Sequence, residues 1–117
     1  VNPGNGPGTS INSDYTQAID ILASGGVTII GYVHTTYANR SSALVETDIA
    51  NWKLFYPKVN GLFFDEVIND YDPIKFKYYT DLVAKAKTRG FNFFTANPGW
   101  LTYQGIVDLF NMTLVYE

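Results

Sequence analysis

The hydrophobic and polar positions along the chain follow two different periods, one typical of strands and one typical of helices. The clearest strand signal is the uncharged run of residues 61–64, which Asp65 and Glu66 follow directly. Such a run predicts a strand that is buried on both faces, as in a parallel sheet covered by helices. In parallel α/β folds the C-terminal ends of the strands open onto the ligand cleft, so this carboxylate pair is a candidate for chemistry.

Helical patterns separate this strand from others like it. Asp14 with Gln17 resembles a capping box, and Asp72 with Pro73 predicts an N-cap and a first-turn proline. The apolar stripes of the predicted helices lie within residues 15–22, 45–56, 74–86 and 103–110. The other predicted strands cover residues 27–33, 91–96 and 112–116, after a strand stub at the start of the chain. The side chains expected to be nearly fully buried in the sheet are Ile30, Phe63, Phe64, Phe93, Phe94 and Leu114. Trp52, Tyr79 and Leu82 are expected to pack the helices onto the sheet.

The predicted strands end at a nearly constant interval. The polar residues at these ends are Asn2, His34, Glu66, Asn97 and Glu117. The first four are spaced by roughly thirty residues, which matches one β/α unit of an eight-fold barrel. The sequence therefore predicts an α/β fold: one domain over residues 1–117 that forms about half of a TIM-type (β/α) barrel, with four to five parallel strands. A small doubly wound open sheet has the same alternation of strands and helices and is the alternative fold.

Composition and charge exclude several classes of function. Hydrophobic residues make up 46% of the chain and charged residues 16%, which is typical of a globular domain. The net charge of −3 and the pI near 4.9 argue against a nucleic-acid partner. The sequence has no cysteine and a single histidine, His34, so we expect neither a metal site nor a cofactor. No apolar run reaches membrane-spanning length, and neither phosphate-loop nor dinucleotide-binding glycine motifs are present.

Carboxylates with aromatic and amide companions remain as the candidate chemistry. Hydrolysis of a glycosidic bond needs one carboxyl group that protonates the leaving oxygen and a second that attacks or activates water. Asp65, Glu66 and Glu117 can supply these groups. The aromatic residues available for stacking on a sugar are Tyr32, Tyr37, Trp100 and Tyr103.

Several motifs, in order along the whole chain, resemble the spherulin-4 family. They are Val1-Asn2-Pro3 with Asn5-Gly6-Pro7-Gly8, Asp14-Tyr15, Gly31-Tyr32-Val33-His34-Thr35 with Tyr37 and Arg40, Asp48-Ile49, Phe64-Asp65-Glu66, Asn97-Pro98-Gly99 and Glu117. The departures are Gly4-Asn5, where Asn-Ser or Asn-Thr is usual, and Ala38, where glycine is common. Neither departure involves the carboxylates.

The resemblance implies a secreted or wall-associated (β/α) barrel glycoside hydrolase that acts on α-1,4-linked polymers of N-acetylgalactosamine or galactosamine, such as fungal galactosaminogalactan. It also implies that Asp65, Glu66 and Glu117 are the carboxylates of the active-site groove, with no assignment of acid and nucleophile. The expected substrate-binding residues are Asn2, Tyr32, His34, Tyr37, Arg40, Asn97 and Trp100. A non-catalytic carbohydrate-binding protein of a cell wall or spore coat is the alternative from another functional class.

The family barrel begins before Val1 and continues beyond Glu117, so we expect the natural protein to be longer. A half-barrel leaves sheet edges open, which predicts that the chain forms a homo-oligomer if it occurs alone. The expected partner is otherwise the polysaccharide, with no nucleic acid and no membrane. Asn39-Arg40-Ser41 and Asn111-Met112-Thr113 match the N-glycosylation pattern and give weak support to secretion.

Overall fold

Four strands and four helices alternate along the chain. The structure, a computed structural model, describes residues 1–116. The elements are α1 (Ser13–Ser24), β1 (Ile30–His34), α2 (Ser42–Phe55), β2 (Gly61–Asp65), α3 (Pro73–Thr88), β3 (Phe93–Asn97), α4 (Gln104–Leu109) and β4 (Met112–Thr113). All paired strands are parallel, and the sheet order is β1-β2-β3-β4. This is the predicted alternation of β/α units, as in half of a (β/α) barrel, and the sheet is open.

The strand order follows the sequence without reversal. A doubly wound sheet reverses its order at a switch point, and the described strands contain no such reversal. On the outer edge of β1, the Val1 ammonium donates to the Ile30 carbonyl at 2.7 Å, and the Tyr32 N–H donates to the Val1 carbonyl at 3.0 Å. The first residue therefore pairs as the predicted strand stub, and the barrel-type arrangement is confirmed over the doubly wound alternative.

Local capping explains where the first helix and the strand after it differ from the prediction. The N-cap of α1 is Asn12, whose side chain accepts from the backbone N–H groups of Asp14 and Tyr15, so the expected capping box at Asp14 is not used. At the other end, Gly26 has a φ of +77°, and the Val27 N–H donates to the Leu22 carbonyl at 3.1 Å. Since this helix cap uses the Val27 amide, β1 begins at Ile30 and not at residue 27.

One face of the sheet is covered by the helices and forms the core. Its side chains are Val33, Leu62, Phe64, Phe94 and Ala96, all buried. They pack with helix residues that include Trp52, Tyr79 and Leu82, as predicted. Gly31 lies on this face because a Cβ there would come within 2.6 Å of the Trp52 ring, so glycine allows α2 to approach β1 closely. We call this the helix-covered face.

The opposite face contributes no residue to this core cluster, and we call it the open face. Its members are Ile30, Tyr32 and His34 of β1, Gly61, Phe63 and Asp65 of β2, and Phe93, Thr95 and Asn97 of β3. The expectation that Ile30, Phe63 and Phe93 are nearly fully buried is wrong, because they lie on this face and are only half-buried. Leu114 is also exposed, at 37%, because β4 ends at Thr113 instead of residue 116. Self-association through this surface stays a prediction.

Candidate active site

The ends of three strands place polar side chains in one row. The strand register aligns His34 of β1 with Asp65 of β2, and Asp65 with Asn97 of β3. All three are on the open face, since alternate residues of a strand point to the same side. The parallel sheet therefore brings together side chains that are about thirty residues apart in sequence.

A cleft of about 370 Å³ lies over this row, and we call it the first cleft. Its lining residues are Tyr32, Tyr37, Asp65, Glu66, Asn97, Pro98 and Gly99. Five of these were predicted as site residues. Pro98 and Gly99 were not, although Asn97-Pro98-Gly99 is one of the motifs of the resemblance. Their position depends on a turn in which the Gly99 N–H donates to Asn97 Oδ1 at 3.0 Å, with a φ of +74° that favours glycine.

The Asp65 carboxylate accepts three hydrogen bonds. The Tyr32 hydroxyl donates to Oδ2 at 2.7 Å, while the Asn97 amide and the Glu66 backbone N–H donate to Oδ1 at 3.0 and 2.9 Å. Donors on both oxygens hold the group in a single orientation, with the tyrosine on one side and the amide on the other. The sequence placed these three side chains at strand ends but did not predict that they bind one another.

Glu66 has a backbone conformation that is rare for a residue with a side chain. Its φ is +54°, in the left-handed region, which costs of order 1–3 kcal/mol for a residue other than glycine. Its carbonyl oxygen lies 2.7 Å from the Tyr37 N–H, 2.9 Å from Thr35 Oγ1 and 3.3 Å from the Tyr79 hydroxyl. Thr35 Oγ1 and the Tyr79 hydroxyl are also 2.7 Å apart, and both residues are fully buried. These contacts hold the strained residue in place.

Thr35 and Tyr79 therefore act beneath the first cleft, a role that sequence analysis missed. Tyr79 was expected only to pack a helix against the sheet, and its position in an apolar stripe carries no signal of a polar contact. The Glu66 carboxylate, in contrast, has no hydrogen bond or ion pair with any residue of the described part of the chain. It lines the first cleft beside the fixed Asp65 carboxylate.

Tyr32 is kept protonated by its surroundings. Burial is the main cause that raises its pKa, followed by the hydrogen bond to Asp65 and by the negative charges of Asp65 and Glu66. The phenol is thus a hydrogen-bond donor over the whole physiological pH range. Both carboxylates are close enough to influence this one hydroxyl, so the three groups form one electrostatic unit.

Tyr37 reaches the first cleft from a strained turn after β1. Thr36, Tyr37 and Ala38 all have left-handed φ values, of 50°, 54° and 65°. The hydrogen bond from the Tyr37 N–H to the Glu66 carbonyl ties this turn to the end of β2. Because such conformations are unfavourable for residues other than glycine, their clustering beside the carboxylates makes this edge of the sheet a candidate functional site.

Four of the expected substrate-binding residues do not line the first cleft. Arg40 forms an ion pair with Asp48 at 2.8 Å and donates to the His34 carbonyl at 3.2 Å, so it braces the loop after β1. Asn2 Oδ1 accepts from the Gly6 N–H at 2.7 Å and stabilises the first loop. The structure shows structural contacts for both residues, and their contact with substrate stays a prediction.

His34 and Trp100 lie near the first cleft without forming its walls. The His34 ring stacks on Tyr32 with ring centres 6.4 Å apart, and its buried Nδ1 has no hydrogen-bond partner among the described residues. Trp100 follows Gly99 and is 57% exposed, with its ring 5.5 Å from that of Tyr116. Glu117, the third expected carboxylate, lies outside the described residues.

Residues 1–116 contain neither a candidate metal-binding cluster nor a candidate membrane-spanning helix. No group of three or more histidine, aspartate, glutamate or cysteine side chains is arranged to hold a metal ion within this range. None of the helices in this range has both the length and the apolar character needed to cross a membrane.

The chain is similar along its whole length to known proteins. The model of spherulation-specific family 4 matches residues 1–117. Spherulin-4 of Physarum polycephalum is 33% identical over 119 residues, which cover 100% of this chain and 35% of Spherulin-4. The crystal structure of Aspergillus clavatus Sph3 in complex with GalNAc matches with a TM-score of 0.90 and 33% identity, over 99% of this chain and 51% of that chain. The chain thus spans about a third of the first relative and about half of the second.

Proposed function

Because the chain belongs to spherulation-specific family 4, we propose that it provides the catalytic cleft of a glycoside hydrolase. The proposed substrate is an α-1,4-linked polymer of N-acetylgalactosamine or galactosamine. The observation that carries the proposal is the pair of carboxylates, Asp65 and Glu66, which line one cleft together with Tyr32 and Asn97. The complex of the structural relative Sph3 with GalNAc supports the choice of sugar.

The two carboxylates differ in a way that fits two roles. Asp65 has donors on both oxygens and is held still, which suits the group that attacks the anomeric carbon or steadies the positive charge that develops on the sugar. Glu66 has no such partners in the described chain and suits proton transfer to the leaving oxygen. As the glycosidic bond breaks, its electron pair goes to the leaving oxygen, which takes the proton from Glu66. Water then completes hydrolysis and returns a proton to the site.

Tyr32 and Asn97 act on this chemistry through Asp65. Their two hydrogen bonds orient the carboxylate, so they are positioning residues in the proposed mechanism. Tyr32 also presents a half-buried aromatic ring to the first cleft, where a sugar ring can stack. We propose a secreted or wall-associated location as well, since a polysaccharide of this class is found outside the cell.

The test is release of reducing ends from an α-1,4-linked galactosamine polymer by the protein at the full length of its relatives. Asp65→Asn keeps the shape of the side chain and removes its negative charge, and Glu66→Gln keeps the shape and removes the acidic proton. Each is expected to lower the rate by at least roughly 10²–10⁴-fold, the usual contribution of a positioned acid or base. Asp14→Asn, on exposed α1, is the matched control and should leave the rate unchanged. A wild-type protein that binds the polymer but releases no reducing ends would instead support the non-catalytic carbohydrate-binding alternative.

A further inference from the structure

A second cleft adjoins the first. Its volume is about 300 Å³, at the lower end of the range of small-molecule sites. The loop between β2 and α3 forms most of its wall, with the first turn of α3. Its lining residues are Tyr37, Ile68, Asn69, Asp70, Tyr71, Asp72 and Lys75. Tyr37 lines both clefts, so the two clefts meet at this residue.

Contacts around the second cleft hold its walls in place. Asn69 Nδ2 donates to the carbonyl of Pro98, a wall residue of the first cleft, at 2.7 Å. Thr102 Oγ1 donates to the Ile68 carbonyl at 3.0 Å. The Tyr71 ring packs edge-on against Tyr103, with ring centres 5.3 Å apart. The two clefts therefore share walls and are fixed relative to each other.

The lining of the second cleft suits a sugar ring. Tyr37 and Tyr71 offer two aromatic surfaces and are 44% and 65% exposed. Asn69 and Lys75 provide donors, and Asp70 provides acceptors for sugar hydroxyls. The Asp70 carboxylate has no hydrogen bond or ion pair within residues 1–116, so a ligand does not have to displace an existing partner.

We propose that the second cleft is a subsite that binds a neighbouring sugar unit of the polymer whose glycosidic bond lies in the first cleft. This inference rests on the proposed function and adds to it the place where the next sugar unit of the polymer is held, in the cleft between β2 and α3. Tyr37, on its strained turn, is then the residue against which the chain passes from one cleft to the other.

The test compares binding of N-acetylgalactosamine with binding of its α-1,4-linked tetrasaccharide by isothermal titration calorimetry. All measurements use the full-length protein with Glu66→Gln, which prevents cleavage during the titration. We expect the tetrasaccharide to bind about tenfold tighter than the monosaccharide or better, which corresponds to about 1.4 kcal/mol. In Tyr71→Ala and in Asp70→Asn this gain should fall to roughly twofold, while the monosaccharide affinity stays unchanged.

The controls and outcomes distinguish failure of the subsite from failure of the proposed function. Asp14→Asn, which lies on α1 and lines neither cleft, should keep the whole gain. Asp70 is exposed, so Asp70→Asn should fold normally even if Tyr71→Ala does not. A gain that persists in both variants, or a loss that affects the monosaccharide equally, overturns the subsite and leaves the proposed function standing. Absence of binding by either sugar overturns the proposed function, and the subsite with it.

Discussion

The two faces of one sheet are built from the same strands and differ in almost every physical property. On the helix-covered face Val33, Phe64 and Ala96 are completely buried in an apolar core. On the open face Tyr32, Asp65 and Asn97, on the same strands, form a hydrogen-bonded row beside a cleft. Since neighbouring residues of a strand point to opposite faces, a difference of one position separates a side chain of the core from a side chain of the candidate site.

The comparison explains how an uncharged run such as residues 61–64 supports both roles. Leu62 and Phe64 are fully buried against the helices, whereas Phe63 is half-buried and stacks near Tyr32, with ring centres 6.1 Å apart. The apolar character of Phe63 therefore supports the wall of the site and not the core of the described chain. In a closed barrel this face points inward, which accounts for its apolar residues within the strands and its polar residues at their C-terminal ends.

The largest expected effect is the loss of stability when a core side chain is removed from the helix-covered face. Removal of the adjacent side chain on the open face should cost much less. Phe64→Ala removes a fully buried ring that packs on Phe110, with centres 5.5 Å apart, and should cost about 3–5 kcal/mol of unfolding free energy. Phe63→Ala, the adjacent residue of the same type, should cost only about 1–2 kcal/mol in this chain because its ring is already half exposed. Chemical denaturation of both variants measures the difference. Equal losses would show that the two faces are packed alike.

The fold was predictable because the helix-covered face leaves a strong pattern in the sequence. Tyr79 and Leu82 lie at helical spacing, Asp72-Pro73 marks a helix start, and the strand ends recur at a regular interval. The first cleft was predictable only in part. Strand-end positions identified Asp65, Glu66 and Asn97, but no local pattern reports the hydrogen bonds among Tyr32, Asp65 and Asn97, which depend on strand register.

Arg40 and Thr35 are two residues whose contacts could not be predicted from the sequence. Arg40 lies in a motif of the resemblance and is expected to bind substrate, and the structure adds an ion pair with Asp48 of α2 that the sequence did not predict. Thr35 looks like an ordinary strand-end residue, yet its hydroxyl contacts the carbonyls of Asp65 and Glu66. In both cases the decisive partner comes from another element, so only the three-dimensional structure reveals the role.

A smaller effect is expected at Tyr79, a core residue whose hydroxyl contacts the backbone of Glu66 at the first cleft. Tyr79→Phe removes a buried hydroxyl that contacts Thr35 Oγ1 and the Glu66 carbonyl, and should cost about 1–2 kcal/mol of unfolding free energy. Because these contacts hold the left-handed Glu66, the amide resonances of Glu66 and Tyr37 should shift as well. Tyr116→Phe is the control, since Tyr116 is 76% exposed, and should change neither quantity. A Tyr79→Phe protein with unchanged stability and unchanged amide resonances would remove Tyr79 from the account of the site.

The smallest predicted effect concerns ionisation on the open face. Asp65→Asn removes a hydrogen-bond acceptor and a negative charge that both raise the pKa of Tyr32, so this pKa should fall. It should stay above its ordinary value, because burial is the largest cause. Since folding raises the pKa, the folded state keeps a proton that the unfolded state loses above about pH 10, and this contribution to stability falls as pH rises further. NMR titration of the Tyr32 ring carbon measures the change, and a higher pKa in the variant would contradict the assigned contacts.

The central claim is that sugar binds on the open face, at the C-terminal ends of the strands. Titration of N-acetylgalactosamine onto the isotope-labelled chain, followed by amide chemical shifts, tests it most directly. We expect the largest shifts at Tyr32, Asp65, Glu66, Asn97 and Gly99, with Val33 and Phe64 nearly unchanged although they are neighbours of these residues in sequence. Shifts concentrated instead in the apolar depression between α1 and α2, around Ile19 and Lys58, would contradict the claim.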